Sequence, residues 1–212
     1  MKSITALGGR IASLRKTCNF TQAELGARSG YSVRTIRKAE ASKPMSFSTL
    51  RDIAISLDVH LEELMPSEEY LQIVKPNSEI AEQVISWVAD KDVDNILNQM
   101  TDDISLFYLG PEKLAHAGTF VGKQDVRTFF KSSLDDIDWI ERPVIESCVA
   151  THSNVVIHGY DVLHVVSNGS KFKANWCIFF NFRDDLICEI RHYSDQTTIV
   201  RALESDRPED FS

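Results

Sequence analysis

Residues 21–40 read TQAELGARSGYSVRTIRKAE, and this stretch decides the fold of the first third of the chain. Thr21 and Glu24 have the spacing of a capping box, in which the threonine caps a helix start and the glutamate bonds back to the N–H of the cap residue. Gly30 is typical of a helix end, because glycine adopts the left-handed conformation without strain. Ser32 is a good cap for the next helix. The stretch therefore predicts two helices joined by a tight turn.

Apolar residues recur at helical spacing before and after this stretch. We predict a first helix near residues 4–14 and a fourth from about Ser46 to Leu57, followed by a last helical segment that Pro66 ends. The residues that carry these predictions are Ile4, Leu7, Ile11, Leu14, Leu50, Ile53, Ala54, Leu57, Leu61, Leu64 and Met65. Residues 1–66 are therefore expected to form an all-α domain of five helices.

Charge is distributed unevenly along the chain. The 212 residues carry a net charge of −8, yet residues 1–66 hold 10 Lys and Arg against 6 Asp and Glu. Residues 67–212 hold 13 against 25. A basic first domain followed by an acidic second domain is expected when only the first domain contacts phosphate groups.

Composition excludes several classes of protein. Apolar residues make up 43% and charged residues 25%, which is an ordinary globular mixture. No stretch approaches the ~20 apolar residues of a membrane helix, and the first residues lack the apolar region of a signal peptide. The four cysteines show no Cys-x-x-Cys spacing. We therefore expect a cytoplasmic protein with reduced cysteines, not a membrane protein, a zinc ribbon or a secreted disulfide scaffold; a redox switch among the cysteines is the alternative.

The two helices of residues 21–40 have the order of a DNA-reading helix-turn-helix. In such a unit the first helix sets its N-terminus against a phosphate, and the second enters the major groove with its N-terminal side chains first. Arg34 can give a bidentate contact to guanine, and Val33 can contact a thymine methyl group. The predicted DNA-binding residues are Thr21, Gln22, Ser32, Val33, Arg34, Thr35, Arg37, Lys38 and Lys43.

At these positions the chain resembles the phage-repressor (Cro/repressor, Xre-like) helix-turn-helix family. The resemblance rests on Arg10-Ile11, Leu14-Arg15, Thr21-Gln22-x-Glu24-Leu25, Gly30-x-Ser32, Thr35-Ile36, Glu40, Leu50, Ile53-Ala54, Leu57 and Leu61-x-x-Leu64. It implies a lambda-repressor-like DNA-binding domain over about 60 residues. In that domain Gln22 would clamp a phosphate, while Val33, Arg34 and Lys38 would hold the base-reading positions.

The resemblance also implies a structural ion pair, for which Arg15 and Glu40 hold the positions. Two residues depart from the family pattern: Ala41 stands where glycine is common, and Gly26 stands where alanine is usual. Gly26 is expected to cost up to ~1 kcal/mol of helix stability. Neither departure removes a DNA contact, and a helical bundle that only docks proteins is the alternative.

From residue 79 the pattern predicts helices followed by strands. Residues 67–78, which include Pro76, are expected to be a linker with at most a short helical turn. Beyond it we predict helices at 79–89, 93–100, 123–134 and 195–202, and strands at 104–108, 140–151, 155–166, 172–182 and 186–193. This order predicts an α+β domain at 79–205 and leaves 206–212 as a C-terminal tail.

Alternation along the strands gives the sheet one strongly apolar face with a few polar side chains embedded in it. The residues predicted to line a ligand pocket there are Tyr108, Trp139, His158, Tyr160, His164, Trp176, Phe180 and His192. A filled core that serves only dimerisation is the alternative. The three histidines lack the spacing of a metal-binding pair, so we expect neither a metal nor another cofactor.

The same region resembles the nuclear transport factor 2-like superfamily, closest to its SnoaL-like and ketosteroid-isomerase-like branch. The motifs are Phe120-x-Gly122 before a helix and Ile190-Arg-His-Tyr193-Ser-Asp195 after the strands. The resemblance covers roughly residues 79–203. It implies a curved antiparallel sheet wrapped by helices, a cone that holds an apolar small molecule in many members.

The resemblance does not supply a catalytic set. Aligned through Thr101-Asp102-Asp103, the isomerase positions for the base, the oxyanion tyrosine and its acid partner fall on Tyr108, Val84 and near Ile178. Asp195 matches a motif aspartate that often caps the last helix. We therefore predict no catalytic residue, and an isomerase- or cyclase-type enzyme with a regulatory DNA-binding head is the alternative.

Taken together, the sequence predicts a bacterial DNA-binding transcriptional regulator. We expect a homodimer, because two helix-turn-helix units about one DNA turn apart multiply the specificity of a single unit. The expected partner is double-stranded DNA with a palindromic operator, and the second domain is expected to dimerise the protein and to sense a small apolar effector. An effector would act by binding one spacing of the two heads better than another.

Overall fold

The computed structural model describes residues 3–110 and 116–205, so the expected tail at 206–212 lies outside the described residues. The chain divides into two compact units, residues 1–73 and 74–212, and separate hydrophobic cores lie within them. Among the described residues, no helix is both long and apolar enough to cross a membrane.

The first unit is built from short helices around one core. Its elements are β1 (Ser3–Ile4), α1 (Gly8–Thr17), α2 (Gln22–Ser29), α3 (Val33–Glu40), β2 (Met45–Ser46), α4 (Phe47–Ser56) and a 3₁₀ helix (Leu61–Leu64). Ile11, Leu25, Ile36, Leu50 and Leu64 are fully buried in this core. The predicted helix-turn-helix domain is thus confirmed as a fold.

Two details of the first unit differ from the prediction. Ile4 lies in β1 rather than in the first helix, because β1 pairs with β2 and sets Ile4 opposite Met45, where both side chains are buried. The last of the five predicted helices is the 3₁₀ helix rather than an α-helix. The second difference reflects length, since four residues are too few to propagate an α-helix.

The helix caps of the first unit are those that the sequence predicts. Thr21 Oγ1 accepts from the backbone N–H of Glu24 at 3.1 Å, and Glu24 accepts in return from the N–H of Thr21 at 2.6 Å. Gly30 ends α2 with a positive φ of 77°. Ser32 caps α3 by accepting from the N–H of Thr35 at 3.2 Å. The tight turn between α2 and α3 is therefore encoded locally.

Both departures from the family pattern have a structural reason. A Cβ atom on Gly26 would lie 2.7 Å from the backbone oxygen of Tyr31, so glycine lets the turn pack close against α2. Ala41 has an ordinary φ of −87°, and the left-handed conformation falls on Ser42 instead. The glycine expected at position 41 is therefore not required here.

The segment predicted as a linker is helical throughout. Helix α5 (Ser67–Ala89) contains Pro76, although proline lacks the N–H that a helix interior uses. Its second half is supported by burial: Val74, Ala81 and Val84 are buried in the second unit. Asn77 is 3% exposed, and its side chain donates to the backbone oxygen of His152 at 3.1 Å. Burial of these residues outweighs the local signal that suggested a linker.

The second unit is the predicted α+β fold. After α5 come α6 (Val93–Asn98), β3 (Met100–Tyr108), β4 (Gly118–Val121), α7 (Lys123–Asp135), β5 (Ile137–Trp139), β6 (Val144–Ala150), β7 (Asn154–Val165), β8 (Lys171–Arg183), β9 (Leu186–Ser194) and α8 (Gln196–Glu204). The curved sheet has the order β4-β3-β9-β8-β7-β5, and β6 also pairs with β7. Its pairs are antiparallel except that β3 runs parallel to β9.

The prediction chose the wrong face of β7. Cross-strand partners point to the same face, and β8 sets Trp176 opposite Gly159 and Phe172 opposite Leu163. Trp176, Phe172 and Leu163 are all buried, so the odd-numbered residues of β7 face the core. The even-numbered residues, which include His158, Tyr160 and His164, therefore lie on the outer face. A strand has a period of two, so an error of one residue exchanges its faces.

Strand β9 changes face along its length. Phe182 pairs with Ile187, but Asn181 pairs with Glu189, so Cys188 forms a bulge that interrupts the alternation. Ile187 and Ile190 are both buried as a result. Simple alternation would place Leu186 and Cys188 on the inner face together with Ile190, and the bulge makes that expectation wrong for the first part of the strand.

Candidate functional site

Helix α3 presents a row of cations to solvent. Ile36 and Ala39 anchor its inner side in the core, while Arg34, Arg37 and Lys38 are exposed. The exposed Lys43 follows shortly after the helix. Lys43 donates its backbone N–H to the backbone oxygen of Lys38 at 3.1 Å. Among the described residues, the side chains of Arg34, Lys38 and Lys43 make no hydrogen bond or ion pair. Three cations on one short surface are thus free to bind an anionic partner.

A polar network joins this surface to the helix before it. Arg15 Nε and Glu40 Oε1 are 2.5 Å apart, and both side chains are only 12% exposed. Gln22 Nε2 donates to Glu40 at 2.7 Å, and Arg37 Nε donates to Gln22 Oε1 at 3.1 Å. Burial acts to raise the pKa of Glu40, but the hydrogen bonds from Arg15 and Gln22 outweigh it and lower that pKa. Glu40 is therefore held as a carboxylate.

The remaining predicted DNA-binding residues have structural or partly buried positions. Gln22, expected to clamp a phosphate, uses both ends of its amide within the network. Thr21 and Ser32 are caps, and the Ser32 hydroxyl also lies 3.1 Å from the hydroxyl of Thr35. Val33 is half-buried. All of these residues lie at or near the N-termini of α2 and α3.

The second unit contains a cavity of about 130 Å³. The inner face of the sheet forms one side of it, and α5, α7 and α8 also contribute lining residues. Five of the eight predicted pocket residues line it: Tyr108, Trp139, Trp176, Phe180 and His192. The other three, His158, Tyr160 and His164, lie on the outer face because of the strand register. The lining is mostly apolar and aromatic.

Asp161 lines the same cavity, and sequence reasoning missed it. It lies on the inner face of β7, two residues after Gly159, and Trp139 Nε1 donates to its carboxylate at 3.2 Å. Burial raises the pKa of Asp161 to about 6, although the hydrogen bond from Trp139 acts in the opposite direction. Carboxyl groups whose pKa is shifted towards neutral pH inside an apolar cavity occur frequently at functional sites.

Gly159, in the middle of β7, is the sequence feature that could have identified the inner face of this strand. A Cβ atom on Gly159 would lie 2.7 Å from the indole of Trp176 and 2.1 Å from the backbone oxygen of Val144. Glycine inside a strand marks such a close approach. Because Gly159 lies under Trp176, Asp161 lies on the inner face as well.

Strands β3 and β9, and His116 before β4, supply further polar groups to the cavity. The Nε2 atom of His192 is buried and has no hydrogen-bond partner among the described residues. Burial lowers the pKa of His192 to about 4, and burial also lowers the pKa of His116, so both rings are neutral at neutral pH. The ring of Tyr108 meets that of His192 at 4.9 Å, and its hydroxyl lies 3.2 Å from that of Ser194.

Two of the predicted pocket residues that lie on the outer face, His158 and Tyr160, contact charged side chains there. His158 lies 3.2 Å from Glu146, and Lys173 lies 3.5 Å from the centre of the Tyr160 ring. The three histidines considered for a metal are thus on opposite faces of the sheet. No cluster of three metal-ligating side chains exists within the described ranges.

Two other candidate groups have structural explanations. Asp195 caps α8, since its carboxylate accepts from the backbone N–H of Thr198 at 3.2 Å and from its hydroxyl at 2.8 Å. Burial raises the pKa of Cys148, Cys177 and Cys188, which favours the unreactive thiol. A raised pKa disfavours the thiolate that redox exchange requires, so these three thiols do not support the alternative of a redox switch.

Comparison with known proteins finds a family for each of the two units. The model of the helix-turn-helix family matches residues 11–64. The model of the SnoaL-like domain matches residues 81–190, just over half of the chain. No curated protein matches this sequence.

Solved structures resemble the second unit. A nuclear transport factor 2-like protein from Burkholderia xenovorans has 22% identity and a TM-score of 0.52, and the match covers 62% of this chain and 98% of that one. A putative isomerase from Bacillus subtilis has 14% identity and a TM-score of 0.54, with 64% and 97% covered. TerC co-crystallised with polyporic acid has 19% identity and a TM-score of 0.54, with 61% and 99% covered. At these identities the likeness shows the fold alone.

Proposed function

This chain belongs to the SnoaL-like domain family, and we propose that its helix-turn-helix segment makes it a DNA-binding transcriptional regulator. The first unit reads operator DNA, and the SnoaL-like unit dimerises the protein and holds a small apolar effector. The observation that carries the proposal is the row of unpaired cations on and after α3, namely Arg34, Lys38 and Lys43. Such a surface attracts DNA phosphates, and Arg34 lies on the first turn, where base readout takes place. A regulator of this kind acts in the cytoplasm.

Gln22 has a positioning role in this proposal. Its amide connects the buried ion pair of Arg15 and Glu40 to the exposed guanidinium of Arg37. A guanidinium held in one direction loses less conformational freedom when it meets a phosphate. The network therefore supports Arg37 as a phosphate contact that is preorganised before DNA binds.

The test begins with an operator selected from random double-stranded DNA by the full-length protein. Fluorescence anisotropy then measures affinity at several salt concentrations, and a DNA binder must lose affinity steeply as salt rises. Arg34→Ala is expected to cost about 1–3 kcal/mol of binding free energy and to relax one base position. Arg51→Ala is the matched control, since Arg51 is on α4 and is paired with Asp52. Affinity that is independent of salt, or an Arg34→Ala protein with unchanged affinity and base preference, would refute the proposal.

Dimerisation is proposed to use the outer face of the sheet. Phe107, Phe179 and Tyr193 form an aromatic patch there, with ring centres 6.1 Å and 5.7 Å apart. Phe179 is 41% exposed and Val149, on the same face, is 67% exposed. Exposed apolar side chains on one sheet face suit a self-complementary interface between two copies.

Native mass spectrometry of the freshly purified protein tests this interface. We expect a dimer, and we expect Phe179→Glu to shift it to a monomer. Ile55→Glu is the matched control, since Ile55 is 69% exposed in the first unit. A wild-type monomer, or a Phe179→Glu protein that stays dimeric, would refute the proposed interface. Extra mass retained by the wild type would identify a bound effector in the same spectrum.

An acid–base enzyme is the second candidate function, and Asp161 is the observation that favours it. A carboxyl group with a pKa of about 6 can exchange protons near neutral pH in a mostly apolar site. The putative isomerase from Bacillus subtilis has the same fold. Steroid, polyketide and epoxide substrates would reveal turnover, and turnover that Asp161→Asn abolishes but Arg34→Ala does not would favour the enzyme.

A further inference from the structure

We infer that the cavity of the second unit binds a small protonated amine, whose ammonium group pairs with the carboxylate of Asp161 while its apolar part lies among the aromatic rings. This inference rests on the proposed function and deepens it, because it adds one cationic group to the small, largely apolar effector proposed above and so names its chemical class. Three observations lead to it: the charge of the cavity, the aromatic character of its wall, and its size.

The first observation is that Asp161 lacks an opposite charge. Among the described residues that line the cavity there is no lysine or arginine. His192 and His116 are neutral at neutral pH because burial lowers their pKa values. The indole of Trp139 gives Asp161 a single hydrogen bond, at 3.2 Å. A buried carboxylate that meets only neutral indoles and no cation is undercompensated, and a cationic ligand would supply the missing charge.

The second observation is that aromatic rings line the cavity, two of them next to this carboxylate. Trp139 donates to it directly, and the indole of Trp176 also acts to favour its charged form. The Nε1 atom of Trp176 is buried without a hydrogen-bond partner among the described residues. Other rings in the wall are Tyr108, Phe129, Phe130, Phe172 and Phe180. Aromatic faces attract cations and repel anions, so the wall and Asp161 select for the same sign of ligand charge.

The third observation is the size of the cavity. Its volume is about 130 Å³, and a protein cavity of ~150 Å³ is known to hold benzene. The ligand body is therefore about one six-membered ring or a branched chain of similar volume. A neutral molecule of this size would fill the cavity but would leave the charge of Asp161 unpaired. A carboxylic acid would place two negative charges together.

The test compares three probes of nearly equal shape on the full-length protein at pH 7.5. These are benzylamine, benzyl alcohol and benzoate, which carry a positive, a neutral and a negative polar group. We expect calorimetry to show benzylamine binding at least about tenfold tighter than benzyl alcohol, with no measurable binding of benzoate. A preference for benzyl alcohol or benzoate, or no binding by any of the three, would overturn the inference without the use of any variant.

Asp161→Asn then tests whether the carboxylate is the cause. The asparagine has the same shape and can still accept from Trp139, so benzyl alcohol should bind as before while the advantage of benzylamine disappears. Asp102→Asn is the matched control, since the side chain of Asp102 is 98% exposed, and it should keep the tenfold preference. An Asp161→Asn protein that retains the preference would refute the assignment of the carboxylate.

The outcome is separable from that of the proposed function. The DNA titration of the wild type is run on the same preparation, without any probe. Salt-dependent DNA binding with no amine preference would overturn only the present inference. A preference for the amine without DNA binding would support the ligand class and refute the proposed function as a DNA-binding regulator.

Discussion

The two units of this chain use charge in opposite ways. The first unit keeps its unpaired charge at the surface, where the side chains of Arg34, Lys38 and Lys43 have no partner among the described residues, and pairs Glu40 internally with Arg15. The second unit pairs many charges at its surface and places an unpaired carboxylate, Asp161, inside a cavity. An exposed unpaired charge suits a large polyanion, whereas a buried one suits a ligand small enough to enter.

The comparison has a physical consequence for stability. In the first unit the buried charges are mutually satisfied, so removal of one partner should destabilise the fold. In the second unit the buried charge is uncompensated, so its removal should stabilise the fold. All three tryptophans, Trp87, Trp139 and Trp176, lie in the second unit. Tryptophan fluorescence therefore reports the second unit alone, while far-ultraviolet circular dichroism reports the helices of both.

Glu40→Ala gives the largest expected effect. It leaves the guanidinium of Arg15 without its anion and removes the acceptor of Gln22. We expect a loss of about 3–5 kcal/mol, the usual effect of breaking a buried pair by removing one partner. In urea, the circular dichroism transition should move to lower concentration while the tryptophan transition stays in place.

The control for this prediction is Glu63→Ala, because Glu63 pairs with Arg10 at the surface of the same unit. A surface ion pair contributes less than about 1 kcal/mol. If Glu40→Ala and Glu63→Ala had equal effects, the Arg15–Glu40 pair would not support the fold in the way that its burial indicates.

Asp161→Asn should have the opposite sign and the second largest effect. The pKa of Asp161 is raised by burial to about 6 from an ordinary value of 3.8, so ionisation in the folded state opposes folding. Removal of the charge should stabilise the second unit by at most about 3 kcal/mol at pH 7.5. The tryptophan transition should move to higher urea, and a move to lower urea would contradict an uncompensated charge.

The pH profile sharpens the same prediction. The contribution of Asp161 is present below its unfolded pKa of 3.8 and is lost as the pH rises through about 6. His192 has a lowered pKa, so its contribution is present above 6.5 and is lost as the pH falls through about 4. The two slopes oppose each other between about pH 4 and 6, where the two titration ranges overlap. In Asp161→Asn only the histidine slope remains, so stability should rise with pH over this window more steeply than in the wild type.

The sequence predicted the two units unequally well for a physical reason. The caps of Thr21 and Ser32 depend on partners three residues away, so the local sequence contains the whole interaction. The face of β7 depends on its pairing with β8, and both faces of β7 carry apolar residues, so the local pattern does not decide between them.

The same distinction explains the other errors. The bulge at Cys188 exists only in the pairing of β9 with β8, and it was invisible to simple alternation. Helix α5 continues through Pro76, and Asn77 within it bonds to the distant His152. Asp161 was missed as a cavity residue because the wrong face of β7 was chosen. The fold class and the order of the longer helices and strands followed from local signals, although the short strands β4 and β5 were not predicted. The residues that face the cavity depend on the long-range register of the strands.

The smallest expected effects are those of two glycine substitutions, and they test whether helix propensity alone determines stability throughout the first unit. Helix propensity alone predicts that glycine to alanine within a helix stabilises by up to about 1 kcal/mol. Gly9 in α1 has open space around the position of a Cβ atom, so Gly9→Ala should follow this rule. Gly26 in α2 faces the backbone oxygen of Tyr31 at 2.7 Å from a Cβ position, so Gly26→Ala should destabilise by about 1 kcal/mol instead. Opposite shifts of the circular dichroism transition would show that tertiary contact overrides propensity at Gly26, whereas two equal stabilisations would mean that the turn moves freely to accept the methyl group.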